Sequence, residues 1–94
     1  MNKKELVSLI GRHTWLREPV INNVIDAFFT EETFALYRGE KVNLGSFGSF
    51  KPQKRAARIG RNPHTGDAVP IPARIMPVFK AGSSLRKTVS QKEI

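Results

Sequence analysis

The stretch that most constrains this chain is RAARIGRNPHTGDAVPIPA, residues 55–73. Pro63, Pro70 and Pro72 fall within it. Proline lacks the amide a helix or a central strand needs, so the segment is extended and lies at a sheet edge. Asn62-Pro63 suits the first two positions of a type I turn, because proline pre-sets the second φ. Gly66 can then take the left-handed conformation that closes a bulged hairpin. The expectation is a long two-stranded ribbon with Pro63 near its tip. Its approach carries Lys51, Lys54, Arg55, Arg58 and Arg61 with no acidic residue among them. An apolar ring on a cationic handle suits insertion between base pairs from the minor groove of DNA. A solvated hairpin kept soluble by its arginines is the competing reading, and the rest of the chain decides between them.

Charge placement favours the first. The net charge is +8. Residues 1–40 hold five basic against six acidic side chains, whereas residues 41–87 hold ten basic ones against Asp67 alone. Lys92 and Glu93 cancel. An electrostatic footprint confined to one part of a domain points to a polyanionic partner. Ninety-four residues, 39% of them hydrophobic, make one small domain with a modest core, so burial shared with a second copy is expected. There is no cysteine, hence no disulfide framework or thiolate metal site. No apolar run approaches the ~20 residues of a membrane span, and the N-terminus lacks a cleavable leader pattern. A soluble, cytoplasmic protein is expected.

Helical spacing of Leu6, Leu9, Ile10 and His13, with Val7 beside them, predicts a first helix over 3–13, capped by Asn2 with Glu5 three residues on. Trp15 follows in a short connector. It could stack on a base, but a lone Trp between helices more often packs into the core, and core is the expectation. A second helix is predicted over 18–38, with Pro19 in its first turn and Gly39 as its stop. Its broad apolar face includes Val20, Val24, Ile25, Phe28, Phe29, Ala35 and Leu36; Phe28 and Phe29 are read as core or dimer contacts. From Lys41 the period becomes two: Val42 and Leu44 alternate with polar residues, and Gly45 and Gly48 around Phe47 suggest a tight turn. The strand then runs on into the arm, and the return strand reaches Lys80. A last helix over 83–90 buries Leu85 and Val89 and leaves Arg86 and Lys87 outside, with a frayed tail over 90–94. Catalysis is not supported. Gly60 and Gly66 lack phosphate-loop spacing, the two histidines lack zinc spacing, and no serine lies near an evident base.

Several pieces together resemble a known family: Gly60-Arg61-Asn62-Pro63-x-Thr65-Gly66, Phe47-Gly48-Ser49-Phe50, the opening Met1-Asn2-Lys3-Lys4-Glu5-Leu6, and Ile71-Pro72-Ala73. They are similar to the bacterial histone-like DNA-binding proteins, HU and integration host factor, without gaps from Met1 to about Val89. The resemblance implies an α+β fold: an intertwined dimer with a helical base (1–40), a three-stranded antiparallel sheet as a saddle and long β-ribbon arms. The sheet and arm would span 41–81, the arm itself about 53–75. It implies no enzyme activity, no cofactor, no metal, and a place in the nucleoid. It makes Pro63 the intercalating tip and puts Arg58, Arg61 and Asn62 along the minor groove. Arg55, Arg74 and Lys80 would lie on the saddle side, and Lys3 and Arg86 would reach flanking phosphates. Leu44, Phe47, Phe50 and Phe79 join Phe28 and Phe29 as core or dimer residues. The partner implied is double-stranded DNA, and the cost of deforming it predicts a preference for pre-bent, nicked or mismatched duplex. Site-specific bending with a paralogous subunit and binding to structured RNA are the alternatives.

The chain departs from the family pattern at Gly45-Ser46, Ser83, Arg17, Glu32 and Gln53. Arg17 removes the usual Ser or Thr cap of the second helix, worth about 1 kcal/mol. A helix-turn-helix reader built on 3–38 is disfavoured because the part that holds it, residues 1–40, is net −1.

Overall fold

The structure is a computed structural model and describes residues 1–91. Residues 92–94, most of the expected frayed tail, lie outside the described residues. Three helices and five strands follow one another: α1 (Lys3–Thr14), α2 (Glu18–Tyr37), β1 (Val42–Asn43), β2 (Gly48–Arg55), β3 (Arg58–Arg61), β4 (Ala68–Ile71), β5 (Arg74–Ala81) and α3 (Ser83–Ser90). The chain divides into two compact units, one running Met1–Phe34 and the other beginning at Ala35.

In the first unit, Asn2 caps α1: its side-chain oxygen accepts from the Glu5 amide at 2.8 Å. The helix ends in an unusual way. Trp15 stands at the cap in the left-handed conformation, φ 62°, and donates its backbone N–H to the Gly11 carbonyl at 3.0 Å. For a residue with a Cβ this conformation costs roughly 1–2 kcal/mol. The Thr14 hydroxyl donates to the Ile10 carbonyl at 2.8 Å and accepts from the Leu16 amide at 3.3 Å, fixing the turn. The expected burial of Trp15 is not found: the residue is 92% exposed. A left-handed cap turns the side chain off the helix face that packs, so the indole cannot reach the core from there.

The buried centre of this unit is Val7 on α1 and Ile21 on α2, 1% and 2% exposed, and among the described residues they are the only buried hydrophobic side chains. The helix face therefore centres on Val7, with Leu6 and His13 exposed. The helices come close at Gly11: a Cβ there would lie in ordinary van der Waals contact, 3.5 Å from the Ile21 side chain. Arg17 supplies no side-chain cap, but its carbonyl accepts from the Val20 and Ile21 amides at 3.0 and 3.2 Å. Phe28 and Phe29 meet edge to face at 6.2 Å, and with Val24 and Phe34 they remain largely exposed.

The second unit begins with the end of α2. Gly39, φ 86°, donates to the Leu36 carbonyl and Glu40 donates to the Ala35 carbonyl, the paired bonds of a Schellman stop. Helix α2 thus ends at Tyr37, and Arg38 lies past its last turn, paired with Glu40 at 2.9 Å. Strands β1, β2 and β5 form a three-stranded antiparallel sheet in the order β1-β2-β5. Strand β1 is shorter than the alternation suggested. Asn43 accepts from the Gly45 amide at 3.0 Å and bends the chain, so Leu44 falls in the turn rather than the strand. Gly82 donates to the Phe47 carbonyl and Ser84 donates to the Ser46 carbonyl. The backbone of the 44–48 turn thereby satisfies an amide at the start of α3, which has no side-chain cap. Leu85 is half-buried on α3, whereas Val89, expected on its buried side, is 65% exposed.

The ribbon is not one continuous ladder. Strands β2 and β5 pair from Gly48↔Ala81 to Arg55↔Arg74, and β3 and β4 form a separate two-stranded sheet from Arg58↔Ile71 to Arg61↔Ala68. Ala56-Ala57 and Pro72-Ala73 separate them. Pro72 has no amide to offer the ladder, which accounts for a break there. Pro52 and Pro77 stand directly opposite each other without a break. The Gly82–Phe47 bond sets the alternation so that this pair falls at a non-hydrogen-bonded position, where both amides would have pointed outward.

Candidate nucleic-acid interface

Pleating sorts the β2–β5 ladder into two faces of opposite chemistry. Ser49, Lys51, Gln53 and Arg55 share one face with Lys80, Val78, Met76 and Arg74. The other holds Gly48, Phe50, Pro52 and Lys54 with Ala81, Phe79, Pro77 and Ile75. Three expected site residues, Arg55, Arg74 and Lys80, therefore fall on a single face, and Lys51 joins them. Lys51 was legible in the sequence as a basic residue but not as a member of this group; counting in steps of two from Arg55 would have found it. No acidic side chain lies on either strand. Arg55 is directly opposite Arg74. Like charges in cross-strand register repel, so the chain holds two guanidinium groups where an anion between them would lower the energy.

The apolar face begins with an aromatic cluster. Phe50 and Phe79 are cross-strand partners at a non-hydrogen-bonded position, where side chains come closest, with ring centroids 4.7 Å apart. Phe47 lies 5.9 Å from Phe79. Gly48 makes room for them: with φ 155°, a Cβ would lie 2.6 Å from both the Lys80 carbonyl oxygen and the Phe79 ring.

The arm tip is built by its own polar groups. Asn62 donates its amide to the Asp67 carbonyl at 2.9 Å and accepts from the Gly66 amide at 2.8 Å. Its side-chain oxygen accepts from the His64 amide at 2.8 Å. Gly66 has φ 74°, as the turn chemistry predicts. Arg61 donates to the Gly66 carbonyl at 3.0 Å, so this guanidinium also clamps the loop. Pro63 stands exposed in the turn thus held. Register places Arg58 on the ribbon face with Gly60, Val69 and Ile71, and Arg61 on the opposite face with Ile59 and Pro70. The two arginines are not side by side; one projects from each face of the ribbon. A strand pair lying edge-on in a groove needs that arrangement to reach both walls.

Two expected contacts stand apart. Lys3 is paired with Asp26, joining α1 to α2, with both side chains about half exposed. Such a pair is worth 0–1 kcal/mol at most and can be given up. Arg86 donates to the Gly82 carbonyl at 3.4 Å and is otherwise exposed at the start of α3.

A helical unit, a three-stranded sheet with one cationic face, and a basic two-stranded arm tipped by proline define the class of β-ribbon DNA-binding proteins. Comparison with known proteins makes the class specific. The family described as bacterial DNA-binding protein matches residues 1–90. The chain is 43% identical over 89 residues to the DNA-binding protein HU of Geobacillus stearothermophilus, covering 95% of this chain and 99% of that one. It is 42% identical to the HU of Staphylococcus aureus (strain COL) with the same coverage. The chain of an Anabaena HU–DNA cocrystal structure superimposes with a TM-score of 0.89 at 37% identity, covering 98% of this chain and 100% of that chain. This chain belongs to the HU family of bacterial DNA-binding proteins, which are not enzymes. Among the described residues no helix is long and apolar enough to cross a membrane.

Proposed function

We propose that the protein is an architectural DNA binder. It acts as a dimer, follows the minor groove with its arms, and bends and compacts the duplex by inserting Pro63, largely without sequence preference. The observation that carries this reading is the single sheet face bearing Lys51, Arg55, Arg74 and Lys80 with no acidic residue on its strands. That the similar Anabaena chain was crystallised with DNA supports it. Phosphate contacts from this face position the duplex, and Arg58 and Arg61, one on each arm face, track the two groove walls. Lys3, released from Asp26, and Arg86 extend the track to flanking phosphates. The residues on the cationic face do not form the Asn, Gln and Arg reading set of a major-groove helix.

Exposed surface argues for the dimer. The chain exposes 8177 Å², against about 5,500 Å² for a folded monomer of this mass. The excess, about 2,700 Å² per chain or about 5,400 Å² for a pair, is at the upper end of what obligate dimers bury. Val24, Phe28, Phe29, Phe47 and Phe79 are among the side chains a second copy would cover.

Bending a short site costs on the order of 1–6 kcal/mol, and each unstacked step a few more. Counterion release must offset these costs, which makes binding steeply salt-dependent and favours DNA already bent or nicked. About eight phosphates engaged per dimer would give a slope of log K against log salt near −7. These properties support a place on the nucleoid. The test combines light scattering with a salt-titrated mobility shift on straight and nicked duplexes. A dimer that prefers nicked DNA with a steep slope is expected. A monomer at working concentration, or equal affinity for both duplexes at every salt, would refute the proposal.

A further inference from the structure

The feature that DNA bending leaves unused is Trp15. It is the most exposed aromatic residue of the described chain, yet its backbone is held in a conformation that residues with a Cβ avoid. The Thr14 hydroxyl and the Gly11 carbonyl hold that turn in place, so the indole is presented rather than loose. Strain in an exposed residue that packing does not repay is a reason to look for a ligand. Around the indole lies an open groove of about 640 Å³. Gly11 is part of its lining, Leu16 and Pro19 are its apolar walls, and Arg12 and Arg17 are its cations. Glu18 is the one acidic residue lining it. The ion pairs among the described residues are Lys3–Asp26 and Arg38–Glu40, so neither groove arginine is neutralised by a carboxylate.

We infer that this groove, at the turn between α1 and α2, is a second nucleic-acid site, which takes an unpaired base on Trp15 and the adjoining phosphates on Arg12 and Arg17. The chemistry selects a single strand. An indole offers a flat π surface on which any base stacks, but a base within a duplex shows that face only to its neighbours. The two guanidiniums lining the groove supply the positive charge that the phosphates beside a stacked nucleotide require. An acidic peptide would satisfy the arginines but leave the indole face without a planar partner. The site shares no residue with the arm or the sheet face and would engage frayed or gapped strands independently of bending. It therefore stands apart from the proposed minor-groove contacts.

Trp15 is the only tryptophan of the chain, so emission excited selectively at tryptophan, beyond the absorption of Tyr37, reports this groove alone. The full chain is titrated with a short oligothymidylate at low salt, with anisotropy of a labelled oligonucleotide in parallel. The variants are Trp15→Gly, Arg12→Gln with Arg17→Gln, and Arg58→Ala with Arg61→Ala. Glycine keeps the left-handed turn, so Trp15→Gly preserves the fold while removing the platform. Wild type is expected to show saturable quenching. Trp15→Gly is expected to bind oligothymidylate about 5- to 150-fold more weakly. The Arg12/Arg17 variant is expected to flatten the salt slope by about 1.4. The Arg58/Arg61 variant is expected to lose duplex affinity while keeping wild-type quenching, which separates failure of the bending reading from failure of this one. The inference is overturned by absent quenching, by quenching that disappears with the arm arginines, or by equal quenching with polyglutamate. Emission that changes with protein concentration alone would also overturn it, because a second copy would then cover the indole.

Discussion

Arg55→Gln is expected to make the free protein more stable and the DNA complex weaker. Arg55 and Arg74 are register partners at the last rung of the β2–β5 ladder, and like charges at that spacing are destabilising by roughly 0.2–1 kcal/mol. Glutamine keeps most of the side-chain length and removes the charge, so free-protein stability should rise within that range. DNA binding moves the other way. Each phosphate neutralised contributes about 0.9 to the salt slope, and extrapolated from 1 M reference salt to 0.15 M this is about fivefold in affinity per contact. A dimer loses two contacts, so the slope should flatten by about 1.8 and the affinity for nicked duplex should fall roughly 30-fold at 0.15 M salt. Urea unfolding without DNA reads the first quantity, and salt-titrated anisotropy reads the second. A variant that is less stable, with an unchanged slope, would show that Arg55 holds the fold and that the shared cationic face is not a phosphate track.

Two further outcomes follow from the tip and the turn beneath the sheet. Pro63→Ala should cost only about 0.4–1 kcal/mol of stability, since Pro63 is exposed and the loss is of the backbone restraint alone, and should keep most of the affinity while reducing the bend angle in a fluorescence-transfer assay on end-labelled duplex. An unchanged bend would remove the wedge. Gly48→Ala should cost about 1–3 kcal/mol by thermal or urea unfolding, because φ 155° is strained for alanine and the Lys80 carbonyl and Phe79 ring occupy the space. A neutral result would mean that the aromatic cluster is loosely held.

The elements set by local chemistry were legible in the sequence. Asn2 with Glu5, Gly39 after the apolar stripe, and Asn62-Pro63 with Gly66 each fix a boundary through contacts a few residues apart. Two groups of features escaped. The first needs register: that Arg55 faces Arg74, that Lys51 and Lys80 share their face, and that Arg58 and Arg61 project from opposite faces depend on pairing across the ribbon. The second is burial. Val7 and Ile21, rather than the whole apolar stripe, are the buried residues of the first unit. Trp15 was expected inside because of its side chain, yet it occupies a left-handed cap position usually held by glycine, and backbone geometry put it outside.

One pair of strands may be asked to do two jobs only if the pleat keeps them apart. On β2 and β5, Lys51, Arg55, Arg74 and Lys80 lie on one face, and the Phe50–Phe79 contact lies on the other, which carries Lys54 alone among the cations. A slip of one residue on β2 would move Arg55 to the aromatic face and Phe50 to the cationic one. The register must therefore be pinned, and the Gly82–Phe47 and Ser84–Ser46 bonds pin one end of the ladder. Pro52 opposite Pro77 pins its middle, because a one-residue slip would bring a proline into a hydrogen-bonded position that it cannot fill. The same two residues that offer the sheet no amide thus exclude the alternative pairing that would bury the charges and expose the aromatic rings.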